Sequence, residues 1–267
     1  MKPCKATAAL AAAMLALIQC GCVDISDRQL SYDTVSENTV FEENAGIGGE
    51  LLLSADNKAE KRGSSSRPTI INEASFSEAQ KNFIDSCFFI GDSICTGFSM
   101  YGLTENCCAK AGVAARNINE FSFEFNGEQT KPLTAALNSG KKNLVFLMGI
   151  NDVNIEDTEK FTEYYDSFLK SAEAICPGAV LYVMSITPVT EDSRFCYNYE
   201  IDEFNKALLE MVENSRSGLR HYIDSSKGLT NESGGLSEDF ALEDGVHLDK
   251  SAYYYMLYSL CEGAGIV

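Results

Sequence analysis

Short apolar runs alternate with longer amphipathic segments beyond residue 80. The apolar runs cover residues 87–90, 143–148, 179–184 and 220–224, and each stops at a polar, loop-forming cluster. Such runs predict strands that are buried on both faces of a sheet. Apolar residues recur at helical spacing over residues 158–175 and 201–212, and a last helix is predicted over residues 250–261.

This order of elements predicts the fold class. Buried strands separated by helices indicate a parallel sheet covered by helices on both faces, which is a three-layer α/β/α domain. In such a domain the ligand binds beyond the carboxyl ends of the strands. The polar clusters that end the predicted strands fall at this edge, so the search for functional residues begins there.

The chain begins like a bacterial export signal. Lys2 and Lys5 precede a short apolar run that ends at Cys-Gly-Cys, residues 20–22. The run is too short to span a bilayer, which takes roughly 20 apolar residues. Residues 1–22 therefore predict an export signal, and their end resembles a bacterial lipoprotein signal with Cys22 or Cys20 as the lipidated residue. An ordinary cleaved signal and an uncleaved N-terminal anchor are the alternatives.

A polar segment separates this signal from the rest of the chain. Residues 23–70 lack periodicity and contain a Gly-rich and a Ser-rich stretch, which is typical of a flexible linker. The glycines at positions 46, 48 and 49 neither follow a predicted strand nor precede a helix, so no phosphate-binding loop is predicted there. Residues 71–267 then have a normal single-domain length. We expect the linker to tether an extracytoplasmic domain to a membrane.

Composition excludes several classes of function. The net charge is −18, which argues against nucleic acid as a partner because a phosphate-binding surface needs Lys and Arg. The sequence has no His-Glu-x-x-His or Cys-x-x-Cys pattern, so we expect neither a metal nor another cofactor. Seven of the ten Cys lie in residues 71–267. That number is odd, and the sequence supports no pairing. We expect a monomer.

Only two histidines are available as a general base. His221 falls inside the predicted strand 220–224, where a structural role is expected. His247 lies in a loop before the last predicted helix, three residues after Asp244, whose carboxylate can orient the imidazole. A carboxylate on one ring nitrogen and a hydroxyl on the other is the arrangement that a serine nucleophile requires.

Ser93 is the candidate nucleophile because it comes directly after the first predicted strand. Gly91 allows a tight turn there, and a helix beginning behind Ser93 would supply N–H groups for a developing oxyanion. The alternative is that Asp92 and Ser93 only cap that helix. Cys95 is expected to be a small packing residue, not a second nucleophile.

Four short blocks favour the catalytic interpretation. They are residues 91–94 (Gly-Asp-Ser-Ile), residues 110–117 around Gly112, residues 149–152 (Gly-Ile-Asn-Asp) and residues 244–247 (Asp-Gly-Val-His). Their order and approximate spacing resemble the SGNH (GDSL-like) hydrolases, from about residue 83 to the C-terminus. The resemblance implies a flavodoxin-like parallel sheet of about five strands.

The same resemblance implies the roles of the site residues. Ser93 would be the nucleophile, His247 the base and Asp244 its orienting acid. The backbone N–H groups of Ser93 and Gly112, with the side-chain amide of Asn151, would form the oxyanion hole. We expect Asp152 to stabilise the loop of Asn151. Two further residues, Arg116 and Asn117, either touch the substrate or belong to a solvated helix start.

The resemblance also implies the function. We expect a serine esterase that works through an acyl-enzyme on an acylated small molecule or polysaccharide, namely a carbohydrate O-acetylesterase outside the cytoplasm. A lysophospholipase or thioesterase is the first alternative. The second is a catalytically inert binding module with the same fold, although Ser93, Asn151, Asp244 and His247 are all present.

Overall fold

The computed structural model describes residues 70–267 of the 267-residue chain. The predicted export signal with Cys20 and Cys22 lies outside the described residues, and so does the predicted linker apart from its last residue. Within residues 70–267, no helix is both long enough and apolar enough to cross a membrane.

The strands within residues 70–267 form one parallel sheet and one small hairpin. In chain order they are β1 (Cys87–Gly91), β2 (Cys107–Ala109), β3 (Phe123–Phe125), β4 (Glu128–Thr130), β5 (Asn143–Leu147), β6 (Val180–Met184) and β7 (Arg220–Ile223). The sheet has the order β2-β1-β5-β6-β7, and every neighbouring pair in it is parallel. Strands β3 and β4 pair antiparallel. The sheet order is that of flavodoxin-like folds.

Helices cover both faces of the sheet. In chain order they are α1 (Glu78–Asp85), α2 (Thr96–Met100), α3 (Pro132–Ser139), α4 (Thr158–Ile175), α5 (Asn198–Glu213) and α6 (Lys250–Gly263). Helices α3, α4 and α5 pack side by side in that order, whereas α1 and α2 both pack against α6. The three-layer α/β/α architecture predicted from the sequence is confirmed.

Aromatic contacts show how the apolar runs produce these layers. All five residues of β1 are buried, and successive side chains point to opposite faces. Phe89 packs on Phe98 of α2, with the ring centroids 4.6 Å apart. On the other face, Phe146 of β5 packs edge-on against Phe168 of α4 at 5.9 Å. Burying each Phe contributes about 1.5–3 kcal/mol.

The predicted elements match the observed ones closely, with three kinds of omission. Strand β2 is three residues long and lies at the edge of the sheet, too short for a periodic signal. The β3–β4 hairpin does carry a signal that the hydrophobic pattern misses, the Asn126–Gly127 turn. Both residues have positive φ, 53° and 80°, as a tight hairpin turn requires. Helices α1 and α3 have eight residues each and were also not predicted.

Candidate active site

The turn after β1 presents Ser93 at the carboxyl edge of the sheet. Gly91 ends β1 so close to β5 that a Cβ there would lie 1.9 Å from the carbonyl oxygen of Leu147. The Asp92 N–H donates to that same oxygen at 3.1 Å. Ser93 is partly exposed, and its hydroxyl makes no hydrogen bond to any other residue in the 70–267 range.

The helix predicted behind Ser93 is present, and it begins three residues after Ser93. Residues 93–95 form a turn, and α2 begins at Thr96 and has only five residues. The Thr96 N–H already donates to the Asp92 carbonyl at 3.2 Å, so a helical turn does follow Ser93. Cys95 occupies the N-cap position and makes no side-chain capping bond. The Asp92 carboxylate accepts from the Ile94 N–H, so Asp92, and not Ser93, caps the turn that leads into this helix.

The carboxylate of Asp92 joins the nucleophile turn to the next strand. It accepts hydrogen bonds from the Ile94 N–H at 2.9 Å and from the Gly149 N–H at 3.1 Å. The residue is 1% exposed. Burial raises the pKa of this carboxyl to about 7, although the backbone N–H groups at the carboxylate oppose that rise. Sequence reasoning missed this role because the Gly149 contact spans 57 positions along the chain.

His247 is oriented by Asp244, as the sequence analysis expected. The imidazole Nδ1 lies 2.6 Å from Asp244 Oδ2, while Asp244 Oδ1 accepts from the N–H groups of Val246 and His247 at 2.9 and 2.8 Å. Burial disfavours the charged carboxyl, but these hydrogen bonds outweigh it and lower the pKa of Asp244 to about 2. The carboxylate is thus charged at neutral pH and fixes the Nδ1–H tautomer of the imidazole.

The turn that carries His247 is held from the adjacent loop. Gly245 has a φ of 69°, which favours glycine, and a Cβ there would lie 2.2 Å from the Thr190 hydroxyl. The Thr190 N–H donates to the Gly245 carbonyl at 2.8 Å. Thr190 was not among the predicted site residues, and no sequence signal marks it.

Two tyrosines bring the nucleophile and base segments together. Tyr253 of α6 donates its hydroxyl to the carbonyl of Ile94 at 2.7 Å, next to Ser93. Tyr101 donates to the carbonyl of Leu248 at 3.0 Å, next to His247. These bonds place both segments at one edge of the sheet.

The nitrogen of His247 that would face the nucleophile has no partner. His247 Nε2 is buried, and no residue of the described part of the chain bonds to it. His221 stays apart from this site. It lies in β7 and stacks on Tyr182 at 5.5 Å, which agrees with the structural role expected for it.

The residues expected to form an oxyanion hole come together as well. Asn151 donates one amide hydrogen to the Val113 carbonyl at 2.8 Å, which brings its loop to the Gly112 loop. An amide nitrogen carries two hydrogens, so the second is free to donate. Within residues 70–267, the backbone N–H groups of Ser93 and Gly112 donate to no acceptor. Gly112 has a φ of 79°, which favours glycine.

Polar contacts beneath the Gly112 loop fix its position. The buried Asp152 accepts from the Ala115 N–H at 2.8 Å and from the Arg116 guanidinium at 3.0 Å. Arg116 also donates to the Asn151 carbonyl at 2.7 Å. Asn117 donates to the Gly112 carbonyl at 3.2 Å. Arg116 and Asn117 therefore hold the loop in place, and Asn117 is also the N-cap residue of a short 3₁₀ helix, Ile118–Glu120.

The cysteines are free within residues 70–267. Cys95 is fully buried against Gly91, and burial raises the pKa of its thiol well above the usual value. A thiol that resists ionisation is a poor nucleophile, so Cys95 acts as a packing residue. No group of three or more His, Cys, Asp or Glu side chains in this range is placed to hold a metal ion.

Comparison with known proteins identifies the fold. Neither a protein-family model nor a curated protein sequence matches the chain. A solved structure from Streptococcus pneumonia, assigned as a platelet activating factor, shares 20% identity at a TM-score of 0.55, covering 69% of this chain and 90% of that one. A structure from Parabacteroides merdae, assigned as a GDSL-like lipase, shares 15% identity at a TM-score of 0.52. The match covers 68% of this chain and 95% of that one.

A third structure is similar at the same level. It is a variant of an acetyl-xylooligosaccharide esterase from Geobacillus stearothermophilus, with 13% identity, a TM-score of 0.50 and coverage of 67% and 93%. Similarity at such identities establishes the fold. Residues 70–267 therefore have the α/β fold of the GDSL-like, or SGNH, hydrolases.

Proposed function

We propose that the protein is a serine esterase in which Ser93, His247 and Asp244 form the catalytic triad. One observation carries the proposal. The groups that acyl transfer needs are left unpaired at one sheet edge: the Ser93 hydroxyl, His247 Nε2 and the N–H donors of Ser93, Gly112 and Asn151. A substrate ester supplies the partners that these groups lack.

The proposed cycle has two halves. Ser93 Oγ attacks the ester carbonyl carbon while His247 Nε2 takes the hydroxyl proton, and Asp244 stabilises the imidazolium. The negative oxygen of the tetrahedral intermediate accepts from the N–H groups of Ser93, Gly112 and Asn151. The C–O bond to the alcohol then breaks, and His247 returns the proton to the departing oxygen. Water attacks the acyl-enzyme by the same route and releases the acid and free Ser93.

Hydrolysis of an aryl acetate by residues 70–267, or by the full chain, tests the mechanism. Ser93→Ala and His247→Ala should each lower kcat/KM by at least about 10³-fold. Asn151→Ala should lower kcat by about 10²-fold or more, because it removes one oxyanion donor. Ser99→Ala, which removes an exposed hydroxyl of α2, is the matched control. Equal rates in the parent, Ser93→Ala and His247→Ala proteins would refute the mechanism.

The proposed substrate is an O-acetylated carbohydrate. One protein of the same fold is an acetyl-xylooligosaccharide esterase, which supports this choice at the level of analogy. A series of aryl esters with acyl chains of two to sixteen carbons tests it. We expect the acetate to be the best substrate. Strong hydrolysis of long-chain esters with none of the acetate would instead favour a lysophospholipase or thioesterase.

The proposed place of action is outside the cytoplasm, on a lipid anchor. Lys2, Lys5, the apolar run behind them and the cysteines at positions 20 and 22 support this proposal. Full-length chain expressed in a bacterium should partition into the membrane fraction, and Cys22→Ala or Cys20→Ala should release it. Recovery of both variants in the membrane would contradict lipidation at either cysteine.

A further inference from the structure

The loop between β6 and α5 lies across the two halves of the candidate site. On one side, the Thr190 N–H donates to the carbonyl of Gly245 in the turn that carries His247. On the other side, Asn154 lies three residues beyond Asn151, and its side-chain amide donates to the carbonyl of Phe195 in this loop. Residues 190–199 therefore border the space between the base and the oxyanion loop.

This loop is built rigidly. The Asn198 side chain accepts from the Val189 N–H at 3.0 Å and donates to the Val189 carbonyl at 2.9 Å, which closes the loop on itself. Glu200 accepts from the Tyr197 N–H at 3.0 Å and caps the start of α5. Cys196 is buried beneath the loop. The backbone that carries the exposed side chains is consequently held in place.

Three exposed aromatic side chains lie on this loop and on the first turn of α5, and we refer to them as the aromatic rim: Phe195, Tyr197 and Tyr199, which are 38%, 64% and 61% exposed. The rings of Tyr197 and Tyr199 lie 5.6 Å apart and nearly parallel, with 14° between their planes. Ile155, beside Asn154, is 61% exposed. Four of the ten large apolar side chains exposed within residues 70–267 thus belong to this one region. Such a concentration makes this region the candidate for an interaction surface.

The charges and aromatic rings of this region indicate which class of ligand it can bind. Residues 191–203 carry five carboxylates and one arginine: Glu191, Asp192, Glu200, Asp202, Glu203 and Arg194. An anionic polymer or an anionic lipid surface would be repelled by these charges. The Tyr rings combine an apolar face with a hydroxyl at the edge, and the carboxylates accept hydrogen bonds. A neutral sugar has the complementary surface, with C–H groups on the ring face and hydroxyls around it.

We propose that the aromatic rim is a sugar-binding subsite, on which a neutral glycan stacks beside Tyr197 and Tyr199 while its ester group reaches Ser93. The inference rests on the proposed esterase function and adds the residues that select a glycan. The subsite contributes to substrate binding and takes no part in bond making or breaking. It should therefore affect KM for a glycan ester and leave a small aryl ester unaffected.

Kinetics on two substrates test the subsite. The substrates are an acetylated xylooligosaccharide and an aryl acetate. For Tyr197→Ala and Tyr199→Ala we expect KM for the oligosaccharide to rise about fivefold each, with kcat nearly unchanged. Aryl acetate kcat/KM should stay within about twofold. Tyr197→Phe keeps the ring and should retain most of the binding, and Tyr164→Ala, an exposed tyrosine on α4, is the matched control.

A binding measurement separates failure of this inference from failure of the proposed function. Ser93→Ala protein, which cannot turn substrate over, is titrated calorimetrically with the acetylated xylooligosaccharide and, separately, with a short-chain phosphatidylcholine. We expect the oligosaccharide to bind, and to bind about fivefold more weakly when Tyr197→Ala is added. Unchanged oligosaccharide binding, or a loss confined to the phosphatidylcholine, would overturn the subsite. A parent protein that does not hydrolyse aryl acetate would contradict the proposed esterase function and would leave the binding result to decide the subsite. Neither tyrosine variant is expected to lose aryl acetate hydrolysis.

Discussion

Replacement of Asp92 by Asn tests whether a buried carboxyl joins the nucleophile turn to β5. Asp92 is 1% exposed and accepts from the N–H groups of Ile94 and Gly149. Asn offers one oxygen in place of two, so one of these N–H groups loses its acceptor. At pH 5 the carboxyl is protonated and neutral, so the unpaired N–H costs about 1–3 kcal/mol. Asp92→Asn should therefore be less stable than the parent protein at pH 5.

The difference in stability between the parent protein and Asp92→Asn should become smaller as the pH rises. The pKa of Asp92 is 3.8 for the ordinary side chain and about 7 in the folded protein. The folded state thus binds the proton more tightly, and the stability that this proton contributes is complete below about pH 4 and is lost as the pH rises through 7. At 1.36 kcal/mol for each pKa unit, the full loss is about 4 kcal/mol, of which about 2–3 kcal/mol falls between pH 5 and 8. Asn has no proton to lose.

Urea unfolding of both proteins at pH 5 and pH 8 measures this difference. All other titrating groups are shared, so they cancel when the variant is compared with the parent at each pH. We expect the free energy of unfolding of Asp92→Asn, relative to that of the parent protein, to rise by about 2–3 kcal/mol between pH 5 and pH 8. Asp157→Asn, at the exposed cap of α4, controls for the change of carboxylate to amide. A gap that stays constant or widens with pH would show that the Asp92 carboxyl does not titrate as the structure requires.

Three further substitutions probe other contacts. Gly91→Ala forces a Cβ against the Leu147 carbonyl and should cost about 2–3 kcal/mol in urea unfolding; an unchanged midpoint would contradict the close approach of β1 and β5. Arg220→Met removes a buried guanidinium that binds two partly exposed carboxylates of α4 and should cost about 1–3 kcal/mol, against less than about 1 kcal/mol for Lys170→Met, which removes an exposed partner; equal costs would count against this ranking. Asp244→Asn should lower kcat/KM for an aryl acetate by about 10³-fold, and full activity would exclude Asp244 as the orienting acid.

The parts of the fold that the sequence predicted are those with a long hydrophobic pattern. Helix α4 was predicted over residues 158–175 and is observed as Thr158–Ile175, because its apolar face repeats over five turns. The central strands β1, β5 and β6 were found within a residue at either end, since each is apolar over most of its length. Edge strand β2 has too few residues to show a pattern, and its place beside β1 depends on contacts distant in sequence.

The residues of the candidate site also fall into those that the sequence predicted and those that it did not. Ser93 was identifiable as a candidate because it directly follows a predicted strand. Asp244 and His247 were identifiable because they lie three positions apart, just before the last predicted helix. The supporting residues were not identifiable, because their partners are far away in sequence. Tyr253 reaches Ile94 across 159 positions, and Arg116 reaches Asn151 across 35. A single sequence shows local spacing but not such pairings.

The unpaired groups at the site also weigh against an inert binding module. An unpartnered polar atom in the interior costs about 1–3 kcal/mol, so folded proteins keep few of them. Within residues 70–267, only three buried side-chain polar atoms lack a hydrogen-bond partner, and His247 Nε2 is one of them. The same imidazole is bound at Nδ1 by a carboxylate whose pKa is about 2. An imidazole held so firmly at one nitrogen and left open at the other is arranged for proton transfer, which a module that only binds does not need.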